Sequence, residues 1–116
     1  MAPTVGLALP VDKSVSPFDA WITFPTGTRV ISAYSTSSPR TNVLRVNVPL
    51  DQEESLEYVA HALISAGFKA DLSSRVSVQG PGAAKTYGLS GLSLYVITDP
   101  GYGAGGTYVT LRLAYP

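Results

Sequence analysis

The chain holds one histidine, His61, and it follows Glu57 by four residues. On a helix that spacing makes the two side chains neighbours on the solvent side. A carboxylate beside an imidazole is the beginning of acid–base chemistry. A hydrolase triad also needs a nucleophile activated by that imidazole, and a metal centre needs several convergent ligands. With no cysteine in the chain, only a carboxylate-rich site could hold an ion. The acids that do cluster, Asp51, Glu53, Glu54 and Glu57, stand where a helix is expected to begin. Free backbone amides and the helix dipole account for them there.

Two other patterns resemble chemistry and have plainer explanations. Gly101-Tyr102-Gly103-Ala104-Gly105-Gly106 fits the spacing of a phosphate-binding glycine loop. That loop works by delivering a phosphate to a helix N-terminus, and the segment that follows reads as a strand. A glycine-rich hairpin is expected instead, with Tyr102 able to reach over a partner. Asp12, Asp19, Asp71 and Asp99 fall in or beside turns, where aspartate bonds its own backbone. Trp21, the single tryptophan, lies in an apolar segment and is expected to pack in the core. No catalytic, cofactor-binding or metal-binding residue is assigned, and the chain is read as a non-enzyme.

The elements that must position these residues are those of one domain, since 116 residues bury a single core without cross-links. Residues 1–18 carry Pro3, Pro10 and Pro17 and read as an extended arm, with 19–116 as the domain. Along the arm Val5, Leu7, Leu9 and Val11 recur at period two, which suits contact with a neighbouring subunit. Ala20 to Phe24 and Thr28 to Tyr34, either side of Pro25-Thr26-Gly27, predict a hairpin. Ser35 to Thr41 reads as a polar loop. Asn42 to Val48 alternates and predicts a third strand with one wet face.

A helix is predicted from Gln52 to Ala66, with Asp51 and Glu54 as a capping box and Leu56, Val59, Ala60, Leu63 and Ile64 as the buried stripe. Gly67 should end it and turn Phe68 back onto Leu63. Ala70 to Val78 predicts a weaker strand and Gln79 to Leu89 a loop. Leu92 to Thr98 and Thr107 to Tyr115 predict strong strands. The fold class is therefore α+β: a mainly antiparallel sheet of about five to six strands with one amphipathic helix on one face, in the order β-β-β-α-β-β-β. The helix leaves the second face to Tyr34, Arg45, Asn47, Tyr95, Tyr108 and Arg112, a mixture of rings and polar tips suited to protein contact.

Composition narrows the partners. Eight Lys and Arg balance eight Asp and Glu, so no net field attracts nucleic acid or anionic lipid. Charged residues make up 14% of the chain, against about 25% in ordinary soluble domains. No apolar run is long enough to span a membrane, and Val5-Gly6-Leu7-Ala8-Leu9 is too short, and lacks the basic leader, for a signal peptide. The absence of cysteine leaves the redox compartment open.

These features favour a non-catalytic structural protein that associates with itself or with other subunits. A small virion component is the example, decorating or cementing a capsid or forming part of a tail. The location stays unknown, a virion or extracellular one being favoured over that of a cytoplasmic enzyme. A secreted or surface-attached module for a protein or carbohydrate is the alternative, and a small inhibitor protein the next.

Overall fold

The computed structural model describes residues 18–37, 40–70, 83–101 and 105–115. The arm positions Val5, Leu7, Leu9 and Val11, the loop residue Tyr102 and the strand expected beyond Ala70 lie outside them. The described chain forms a six-stranded, wholly antiparallel sheet with a helix on one face, the expected α+β class. In chain order the elements are α1 (Phe18–Trp21), β1 (Arg29–Ser37), β2 (Arg40–Val48), α2 (Gln52–Ser65), β3 (Lys69–Ala70), β4 (Ala83–Leu89), β5 (Leu92–Pro100) and β6 (Thr107–Ala114). Across the sheet they run β1-β2-β6-β5-β4-β3.

The best-formed element is α2. The Glu54 N–H donates to the Asp51 carboxylate at 2.8 Å, and the Asp51 N–H donates to the Glu54 carboxylate at 3.5 Å. Two amides that the helix start would leave orphaned are thus satisfied reciprocally. At the other end Gly67 takes φ +104°, and the Phe68 N–H returns to the Leu63 carbonyl at 2.9 Å. Side-chain bonds tie the start of the helix to the sheet. The Gln52 amide donates to the Thr98 hydroxyl at 3.0 Å, and the Thr107 hydroxyl donates to the Leu50 carbonyl at 2.8 Å.

Beneath α2, the core gathers Val59 and Leu63 of the helix with Leu44, Val46 and Val48 of β2, Leu94 and Val96 of β5, and Val109, Leu111 and Leu113 of β6. The strand residues alternate, so these positions share one side of the sheet. The helix stripe is the expected one except at Ile64, with Leu56 and Ala60 partly buried against the core. Ser55, Val59 and Leu63 are its buried line, and Ile64 is 51% exposed. Phe68, returned by the Gly67 turn, fills the core beside Leu63 and leaves Ile64 turned outward.

The segment expected as a first strand is not one. Phe18–Trp21 is a helical turn, and Phe18, Ile22 and Phe24 are all buried in the core. Phe18, assigned by sequence to the arm, is therefore a core residue. Trp21 packs edge-on against Phe68, ring centroids 4.8 Å apart. Pro25-Thr26-Gly27 does reverse the chain: the Thr28 N–H donates to the Pro25 carbonyl at 3.1 Å, with Gly27 at φ +100°. This turn feeds β1, whose hairpin partner is β2. Both of those strands run into the expected loop, to Ser37 and from Arg40.

Residues 83–89, expected as loop, form β4. A two-residue turn, Ser90 at φ 48° and Gly91 at φ 85°, joins it to β5, with Leu89 opposite Leu92. Positive φ at both central residues matches the twist of the flanking strands. Likewise β5 continues to Pro100, so Asp99 is a strand residue rather than a turn residue. The glycine segment after it closes the expected hairpin with β6, the Gly101 N–H donating to the Gly106 carbonyl at 2.9 Å.

Candidate interaction surface

The side of the sheet away from α2 is built by register. Directly opposed residues of an antiparallel pair point to the same face. Tyr34 lies opposite Val43, Val43 opposite Arg112, Arg112 opposite Tyr95 and Tyr95 opposite Thr86. That row crosses five strands. The next row holds Ser32, Arg45, Thr110, Ile97 and Ala84, and beyond it come Arg29, Asn47, Tyr108 and Asp99. Tyr34, Arg45, Asn47, Tyr95, Tyr108 and Arg112, gathered from separate strands by sequence, thus share one face.

A bulge decides which β1 residues join it. Register shifts between Val30 and Ser32, so Val30 pairs on the core side while Ser32 and Tyr34 pair on the open side. Ile31 is the extra residue and is 46% exposed. A one-residue insertion of this kind exchanges the faces of everything beyond it.

The rings on the open side are accessible. Tyr34 is 50% and Tyr95 42% exposed, while Val43, Thr41 and Asn47 between and beside them are buried. Arg45 holds its guanidinium carbon 5.0 Å from the Tyr108 ring centroid, a cation–π arrangement that keeps the charge over the sheet. The Asn47 side-chain amide donates to the Gly105 carbonyl at 3.3 Å and so anchors the glycine hairpin to the same face. Tyr34, Val43, Ile97, Thr110 and Arg112 line a shallow depression of about 400 Å³. This is a wide, shallow surface of aromatic rings, hydroxyls and guanidinium groups, of the make-up found at protein contacts.

Glu57 and His61 sit elsewhere. Both are exposed on α2 and line an open groove of about 850 Å³ between the two helices, together with Trp21, Leu50, Glu54 and Tyr58. The Tyr58 hydroxyl donates across this region to the Thr23 carbonyl. Sequence reasoning missed the groove, because it forms only when Phe18–Trp21 is helical. The spacing of Phe18, Trp21 and Ile22 at i, i+3 and i+4 was the signal for it. Among the described residues no group of three or more His, Asp or Glu side chains is placed to hold a metal ion. Among them, too, no helix is long and apolar enough to cross a membrane. No protein-family model, curated protein or solved structure matches this chain.

Proposed function

We propose that the protein is a non-catalytic structural component of a larger assembly, and that it binds neighbouring protein subunits through the open side of its sheet. The observation that carries this reading is the Tyr34–Val43–Arg112–Tyr95 row, which leaves two half-exposed rings on either side of a guanidinium. Five strands of seven to nine residues make a face of about 24 by 27 Å from strand spacing and rise. Such a face approaches the roughly 800 Å² per partner of a stable interface. The low proportion of charged residues supports the same reading, since little of the surface is committed to keeping copies apart. The arm residues Val5, Leu7, Leu9 and Val11 and the loop residue Tyr102 are proposed as further contacts. A virion is one assembly that uses components of this size, and the face speaks for assembly rather than for its owner.

The test is the mass of the purified full chain by size-exclusion chromatography with light scattering, from micromolar to millimolar concentration. The wild-type chain should exceed the monomer mass, and Tyr34→Ser with Tyr95→Ser should return it to monomer with an unchanged circular dichroism spectrum. A wild-type chain that stays monomeric throughout overturns the proposal.

A further inference from the structure

The formal charge of zero hides a sorting of charge by face. Helix α2 and its cap carry Asp51, Glu53, Glu54 and Glu57 and no Lys or Arg. On the opposite side of the sheet the register places Arg29, Arg45, Arg112 and Lys69, with Asp99 the one acid among the described residues there. The remaining described cations, Arg40 and Lys85, sit on the helix side in β2 and in β4; Arg40 stacks on Tyr115 at 4.1 Å. Among the described residues, the four acids of α2 and its cap thus outnumber the two cations on their side, and four cations outnumber one acid on the other.

We propose that the protein associates head to tail with a second copy of itself, the outward side of α2 in one copy seating on the Arg45 and Arg112 region of the next. The inference rests on the assembly reading above and names the partner. Glu53, Glu57, His61 and Ile64 follow one another at i, i+4, i+8 and i+11 and are all exposed, so they form one outward stripe. Glu53 and Glu57 are about 6 Å apart along the axis by helical rise. Arg45 and Arg112 are diagonal neighbours on adjacent strands, since Arg112 lies opposite Val43, which sets them about 7–8 Å apart at the backbone. Two carboxylates therefore meet two guanidinium groups at matching spacing, a charge-assisted pairing for which arginine is well suited. Ile64, at the far end of the stripe, meets the half-exposed rings of the sheet. Because the two surfaces differ, a pair of copies still has one of each free, and the contact closes into a ring or continues as a filament according to its rotation.

Charge reversal tests this on the full chain. One variant carries Arg45→Glu and Arg112→Glu, the other Glu53→Lys and Glu57→Lys. Arg112→Glu alone serves if the first pair does not fold, as judged by circular dichroism. Each variant by itself should run as a monomer in light scattering, and an equimolar mixture should associate again, because each reversed face meets a complementary one. Wild-type association should also weaken as salt rises. If the wild-type chain associates and either variant alone still does so, or the mixture of folded variants stays monomeric, this contact is wrong while the assembly reading stands. A wild-type chain that is monomeric at low salt and every concentration removes both.

Discussion

Arg45 and Tyr108 meet diagonally across the β2–β6 pair, the guanidinium carbon 5.0 Å from the ring centroid. A partly buried arginine laid on a ring gains the attraction of the ring face for its charge. The same contact fixes the ring, so charge and aromatic surface are presented together. That pairing gives the open side of the sheet a defined shape.

The pair should be measurable by itself. A double-mutant cycle with Arg45→Ala and Tyr108→Ala, read from urea midpoints, is expected to give a coupling of about 0.5–1 kcal/mol. Tyr108→Phe should preserve the coupling, because the ring and not the hydroxyl faces the guanidinium. A coupling of zero would show that the two side chains do not meet in solution.

Phe18 reports on the first helical turn. It is fully buried and stands 6.3 Å, edge-on, from Trp21. Truncation to Ala should cost about 3–5 kcal/mol, as for other core aromatics. It should also shift the emission of Trp21, the single tryptophan, to longer wavelength. If Phe18→Ala leaves both stability and emission unchanged, the segment does not pack as described.

The two hairpin turns of the β4–β5–β6 meander make opposite predictions. Ser90 holds φ 48°, a conformation that asparagine tolerates better, so Ser90→Asn should raise stability on the order of 0.5 kcal/mol. Gly106 is at φ +66°, and an added Cβ would lie 2.4 Å from the Val48 carbonyl oxygen. Gly105, at φ +72°, would meet nothing within 4 Å. Gly105→Ala should thus lose only the backbone term of about 1–2 kcal/mol, and Gly106→Ala distinctly more. Equal losses in thermal melts would contradict the close approach of Gly106 to β2.

Alkaline stability should depend on Tyr87. Burial pushes its hydroxyl above the ordinary value of 10.0, since the charged form loses its hydration. The unfolded chain then ionises first as pH rises. The stabilisation is complete below pH 10 and is lost as pH climbs through the folded value. Tyr87→Phe should melt like wild type at neutral pH and lose less above pH 10. Parallel losses in the two proteins would place the alkaline sensitivity elsewhere.

Much of this was decided by the sequence. Asp51, Glu54, Gly67 and Phe68 act within four or five residues of their partners, so α2 and both its ends could be read directly. The β-branched and aromatic runs of β5 and β6 were equally plain. Longer-range terms decided the rest. Residues 83–89 contain Ala84, Lys85 and Gly88, poor strand formers, and become β4 because β5 offers a full ladder of partners across the Ser90-Gly91 turn. Phe18–Trp21 is helical because Phe18, Ile22 and Phe24 all reach the core.

The open face shows the same division. Its residue types were legible, but their gathering onto one side depends on strand order and on the bulge at Ile31, neither of which leaves a local mark. Balanced composition likewise concealed where the acids of α2 stand relative to Arg45 and Arg112. A count of charges carries no direction, and only the tertiary structure puts α2 on one side of the sheet and Arg45 and Arg112 on the other.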